Sequence, residues 1–306
     1  MKTRIAALGI ALVLSFALNS CVVFRLGSIA NEVFLGEPDY ALAGEALPSF
    51  IKVSEIQRAA SPNDQDAAVT LASLYLLYGT SYLEGEAFFL PYEDYEQRET
   101  LIARARALYA RSYDLLSPFI EKKTPGLFSL DFQLGPDATD EAVRRAVSAM
   151  KPFKKGDAPL LYYCSAAIFA GFASNPLDFK NASRMAAAFT LLERALALDP
   201  GYSNGAIQEL AFQIYLSLPA DLGGSKEKAM EAYEQALRAS GGKSAGLYVN
   251  YALSISAPEG DAAGFEEYLS KALAIPLDDR SDPRLLISLA QRKAAYYLKH
   301  SDEYVF

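Results

Sequence analysis

The stretch Met185–Pro200, MAAAFTLLERALALDP, sets Ala188, Leu192, Ala195 and Pro200 at spacings of four, three and five residues. Within a helix, a small residue admits a neighbouring backbone and a bulky one fills the groove beside it, while proline ends the run. Ala229, Tyr233, Ala236 and Gly241 repeat the same spacing, with glycine as the terminator. Phe265, Leu269 and Ala272 give a third copy, closed by Pro276 one residue early. Upstream, Ala105, Tyr109, Ser112 and Ser117, followed by Pro118, form a fainter one.

Ala195 and Ala236 lie 41 residues apart and Ala236 and Ala272 lie 36 apart, against about 34 for an undecorated tetratricopeptide repeat. The surplus falls in Leu218–Ser225, LPADLGGS. Because each copy follows another helical segment, the expected fold is all-α, a tetratricopeptide-like helical solenoid with extra N-terminal helices. Apolar periodicity and caps predict helices over 39–57, 64–89, 94–117, 137–151, 157–173, 183–198, 203–218, 225–240, 244–256, 260–274 and 283–300. The repeat helices are clearest from 157 to 300, within one domain spanning 37–306.

The first 20 residues read differently. Lys2 and Arg4 precede an apolar run from Ile5 to Leu18, and Leu18-Asn19-Ser20-Cys21 follows. Such a run is too short to span a bilayer and has the form of a lipoprotein signal peptide, with Cys21 the lipid attachment residue. Residues 21–36 are then a lipidated tether whose apolar content suggests partial docking on the domain. Removal of the leader takes two basic residues and no acid, so the formal charge moves from −8 to −10. That acidic balance argues against nucleic acid as a partner. With Cys21 lipidated, Cys164 has no thiol partner and reads as a small buried apolar residue.

Along 64–89, Tyr75, Tyr78, Tyr82, Gly85 and Phe89 recur at helical spacing. Two readings fit: a core stripe, or the wall of a partly wet apolar cavity, which the polar tip of tyrosine would suit. Gly79 and Gly85 inside the helix imply close approach of a backbone or a ligand. Phe128–Leu134 alternates with period two and reads as an extended segment over the helices or a lid at a cavity end.

Catalytic residues are scarce. The one histidine, His300, has no cysteine nearby in sequence and reads as a helix-end residue rather than part of a triad, and multi-histidine metal sites are excluded by inventory. Ser49-x-x-Lys52 and Ser240-x-x-Lys243 are short matches without a Lys-Thr-Gly partner. Gly223-Gly224-Ser225-Lys226 lacks the spacer of a phosphate loop and reads as a capped helix start. The acids Glu84, Glu86, Glu93, Asp94 and Glu96 read as a solvated helix edge. No cofactor is expected and no enzymatic activity, an envelope enzyme acting on lipid or peptidoglycan being the remote reading.

In their order, Ala46–Lys52, Tyr75–Gly79, Leu218–Ser225 with Ala229 and Tyr233, and Leu289–Ala294 resemble the tetratricopeptide-repeat lipoproteins that accompany TRAP transporters, the T component. The resemblance covers most of the mature chain. It implies a lipid-anchored, periplasm-facing protein that binds the solute-receptor subunit, tends to form homotrimers and carries an apolar channel through each protomer. On that basis a hydrophobic organic ligand is expected, with Tyr75, Tyr78, Tyr82 and Phe89 as candidate cavity lining. Leu218, Asp221, Leu222, Gly223 and Gly224 form the candidate partner surface. The alternative is a generic repeat scaffold for envelope proteins with no ligand.

Overall fold

Capping side chains decide where the helices start. Asp39 Oδ1 accepts from the Ala41 and Leu42 N–H groups and opens α1, Tyr40–Ala60. Asp64 Oδ1 does the same for Asp66 and Ala67 and opens α2, Gln65–Leu77, where the helix expected from 64 begins. The computed structural model describes residues 33–129, 146, 148–220 and 223–305, and every regular element among them is helical.

The helix expected over 64–89 is three pieces: α2, a wider π turn at Tyr78–Leu83, and α3, Glu84–Phe89. Arg98 closes this unit by donating to the Ala87 and Leu90 carbonyls. α4, Tyr95–Lys123, runs through Pro118 instead of stopping before it. Proline inside a helix costs about 3 kcal/mol, whereas fully burying a Leu or Ile side chain contributes about 1.5–3 kcal/mol. Leu116 and Ile120, both 0% exposed, flank the proline, and together they outweigh it.

The chain continues with α5, Ala158–Ser174, and a single short turn, α6, Phe179–Ala182. Next come α7, Met185–Leu198, α8, Tyr202–Ser217, and α9, Lys226–Ala239. The last three are α10, Ala245–Tyr251, extended by a second π turn at Ala252–Ser256, α11, Ala262–Leu273, and α12, Arg284–Lys299. The recurring positions Ala188, Leu192, Ala195, Ala229, Tyr233, Ala236, Phe265, Leu269 and Ala272 are all buried, as are Ala105, Tyr109 and Ser112. Helices α2, α4, α5 and α7 to α9 share the main core, with smaller cores among α10, α11 and α12 and between α1 and α2.

An array that packed only on sequence neighbours would leave its ends apart. Here α12 returns to α1 and α3, so the helices enclose a central space. Phe88 and Phe89 meet Tyr296 with ring centroids 5.0 and 5.5 Å apart, both edge to face. The Arg292 guanidinium lies 4.0 Å from the Phe89 ring centroid and 4.8 Å from that of Tyr40, and reaches Glu86 at 2.7 Å. Arg292→Ala is expected to weaken this closure by about 1–2 kcal/mol, the sum of a half-exposed ion pair and a cation–π contact. Native-state hydrogen exchange should then show α12 amides opening roughly tenfold more often while α5 amides keep their protection. Equal rates in the two proteins would show that Arg292 does not hold the ends together.

At the N-terminal edge, residues 33–35 form a helical turn, and Phe34 packs on Phe50 with centroids 5.1 Å apart. The end of the expected tether is thus docked. The signal peptide at 1–20, Cys21 and the tether up to residue 32 lie outside the described residues, as do most of the extended segment and the first part of the helix expected from 137.

Candidate functional site

The space enclosed by the helices is a cavity of about 560 Å³, within the range of small-molecule sites. Its existence follows from side-chain size on α5. One face of that helix carries Leu160, Leu161, Cys164, Ala167 and Ile168 into the core. The other presents Ala166, Ala170 and Ala173 at spacings of four and three, which are too small to fill the gap to the helices opposite. Leu76, Leu77, Leu210, Leu286 and Ile287 complete much of the apolar wall.

The tyrosine stripe divides at the π turn. Tyr75 is 4% exposed and donates to Glu55 Oε1 at 2.7 Å, and Tyr82 is 8% exposed and donates to the Tyr40 carbonyl at 3.0 Å. Both belong to the core against α1, and burial pushes the Tyr82 hydroxyl up to about 12. Tyr78 is half-buried and stacks on Tyr82 with centroids 5.9 Å apart. Of the four aromatic residues, Phe89 reaches the cavity wall; the faces of α2 and the π turn that border it carry Ser73, Leu76, Leu77, Thr80 and Ser81 instead. The glycines divide in the same way. A Cβ on Gly79 would stand 2.6 Å from the Tyr109 ring of α4, so that glycine lets a side chain approach, while Gly85 opens onto the cavity.

Polar groups enter the cavity at two places. Ser203, Asn204 and Gly205, at the start of α8, have φ of 47°, 56° and 89°, a left-handed run that costs energy at the two non-glycine positions. It carries Ser203 and Asn204 onto the wall beside Glu209. Glu209 Oε2 accepts from Ser244 Oγ at 2.8 Å, and burial pushes its carboxyl above the ordinary range, opposed in part by that bond. A Cβ on Gly246 would stand 2.6 Å from Glu209 Oε1, so the small residue makes room for the acid. The second group is Lys293 on α12, largely buried, whose ammonium is pushed below its ordinary value by burial.

The remaining reactive side chains are elsewhere. Cys164 is 0% exposed, with its thiol pushed up by burial, which suits an inert core residue. His300 stacks on Tyr296 and its Nδ1 lies 2.9 Å from Glu303 Oε1. Among the described residues no group of three His, Cys, Asp or Glu side chains could hold a metal ion.

The loop expected as a partner surface is folded back on itself. The Gly224 N–H donates to the Pro219 carbonyl at 3.0 Å and the Ser225 N–H to the Tyr215 carbonyl at 2.9 Å, and Ser225 Oγ caps α9. A Cβ on Gly224 would collide with the Leu218 carbonyl oxygen, and Gly223, at φ 96°, lies on the Phe189 ring. Leu218 and Gly224 are half-buried, and Pro219, Ala220 and Gly223 are exposed. Asp221 and Leu222 lie outside the described residues.

The described residues form an all-α array beside an apolar cavity, and the sequence comparison says what kind of protein this is. A model of the TRAP transporter T-component family matches residues 36–305. The chain belongs to that family. An uncharacterized protein of Treponema pallidum (strain Nichols) is 28% identical over 274 residues, covering 90% of this chain and 83% of that protein. Membership gives this T-component protein an accessory role in a TRAP transporter and associates it with the cell envelope. No described helix is long and apolar enough to cross a membrane.

Sequence reading missed Glu209 and Lys293, whose neighbours in the chain are ordinary helix residues. It also passed over Ala166, Ala170 and Ala173, a small-residue face that marks the cavity once α5 is known to be central.

Proposed function

We propose that this T-component protein is a lipid-anchored, periplasm-facing accessory subunit that binds the solute receptor of a TRAP transporter and holds a hydrophobic small molecule in its central cavity. The observation that carries the ligand half is the cavity of about 560 Å³ between α2, α5, α8, α10 and α12. A site of this size and apolar character is suited to a poorly soluble organic molecule. The docking half rests on family membership. Homotrimer formation and the tetratricopeptide-like ancestry of the helix pairs belong to the same proposal. Leu218–Gly224 stays the candidate contact surface, since Pro219, Ala220 and Gly223 are exposed in the turn between α8 and α9.

Anchoring at Cys21 is tested by metabolic labelling with radioactive palmitate. Wild-type protein should incorporate label and sediment with membranes, because the several acyl chains of a lipoprotein hold it where one would not, and Cys21→Ser should incorporate no label and be soluble or left as unprocessed precursor. Equal labelling of the two would remove the anchor from the proposal. For docking, unlipidated protein is mixed with the TRAP receptor encoded beside it and followed by sedimentation velocity. A complex should form with a dissociation constant below tens of micromolar, about −6 to −7 kcal/mol, and weaken when Asp221 and Leu222 are replaced by Lys and Asp. No complex favours the scaffold reading, and an unchanged complex moves the contact elsewhere on the surface. The same runs report whether the protein alone is a trimer.

A further inference from the structure

The two polar places in the cavity differ in what they lack. Glu209 has a partner in Ser244, and burial raises its carboxyl above the ordinary range, opposed in part by that bond. Lys293 has no hydrogen bond and no ion pair with any described residue. Its Nζ lies 6.0 Å from the Phe88 ring centroid, and the acid that acts on it, Glu84, stands beyond ion-pair distance and is itself pushed towards neutrality by burial. The other basic residues of the cavity wall are already paired: Arg292 with Glu86 at 2.7 Å, and Lys243 with Asp282 at 2.8 Å.

A buried ammonium without a counter-ion is costly, and a lysine with no structural partner on an apolar wall is what a site for an anionic group requires. We propose that the cavity takes an amphipathic organic monocarboxylate, its carboxylate against Lys293 and its apolar body along Phe89, Leu76, Leu286 and Ala170. This inference rests on the ligand-binding reading above and names the ligand class. The Ser203–Glu209 side sets the other limit. A second carboxylate carried towards it would leave water without meeting a free cation, since Lys243 is held by Asp282, so dicarboxylates are disfavoured, while a hydroxyl or carbonyl on the ligand would find hydrogen-bonding partners in Asn204 and the Glu209 carboxyl.

The test uses unlipidated full-length mature protein with the neutral dye N-phenyl-1-naphthylamine as reporter, displaced by dodecanoate, by methyl dodecanoate and by dodecanedioate. Wild-type protein should be titrated by dodecanoate at a concentration about tenfold or more below that of the ester, the scale of one hydrogen-bonded charge contact, with the dicarboxylate weaker than the monocarboxylate. Lys293→Met and Lys293→Gln should lose the preference for acid over ester, and Lys293→Arg should keep part of it. Equal displacement by acid and ester in the wild type, or a preference surviving in both neutral variants, would overturn the carboxylate inference and leave the apolar-cavity reading standing. Failure of the dye and of all three competitors to bind would overturn both.

Discussion

Ala170→Trp is expected to weaken binding of a neutral apolar dye at least tenfold, about 1.4 kcal/mol, while lowering the melting temperature by less than about 3 °C. Ala170 faces the cavity from α5, so an indole there occupies space a ligand would use and displaces no core side chain. Ala167, three residues earlier on the core face, is 2% exposed and supplies the contrast. Ala167→Trp forces a ring into close-packed atoms, where overpacking costs about 1–3 kcal/mol or more, and should lower the melting temperature clearly without first blocking the dye. The chain contains no tryptophan, so the emission maximum of each variant reports directly on the surroundings of the new ring. Dye affinity unchanged in Ala170→Trp would mean that the ligand site is elsewhere.

The helices and their packing phase were legible because both depend on local chemistry. Asp39, Ser225, Ser244 and Asp261 cap helices by accepting from backbone N–H groups two or three residues on, and small and large residues alternate at the buried positions. The aromatic stripe was less legible because a uniform period was assumed across 64–89. The π turn at Tyr78–Leu83 adds backbone to one turn and rotates α3 relative to α2 by up to about 100°, one residue's worth of helix. Tyr75 and Tyr82 therefore face α1, and Phe89 faces the cavity. Closure of the array was not legible at all. It depends on contacts such as Arg292 to Glu86, which are 206 residues apart, and no periodicity within either helix marks them. The cavity inherits that limitation, since its walls come from helices that meet only after closure. Lys293 illustrates the consequence: its sequence neighbours describe an amphipathic helix, and its lack of a partner becomes visible once α12 packs against Phe88 and Glu84 of α3.

Gly205→Ala is expected to destabilise the protein by about 2–4 kcal/mol, combining a side chain forced to positive φ with overpacking, and to lower the melting temperature by roughly 5–10 °C for a chain of this size. Gly205 has φ 89°, and a Cβ there would stand 2.9 Å from the Ala239 Cβ and 3.1 Å from the Ala236 Cα. Here the α8 backbone lies close against α9, at the second alanine position of the repeat spacing. Ala236 is 1% exposed, so Ala236→Leu enters the same contact from the other helix and should cost about 1–3 kcal/mol. Ala263 on α11 is exposed, and Ala263→Leu should stay within about 0.5 kcal/mol of wild type. The two buried substitutions should also be coupled. Once α8 and α9 have moved apart to admit one side chain, the second meets less resistance, so the double variant should lose less than the sum by about 0.5–3 kcal/mol. Strict additivity would show that each helix relaxes on its own, and a melting curve for Gly205→Ala that coincides with wild type would place the close contact somewhere other than this turn.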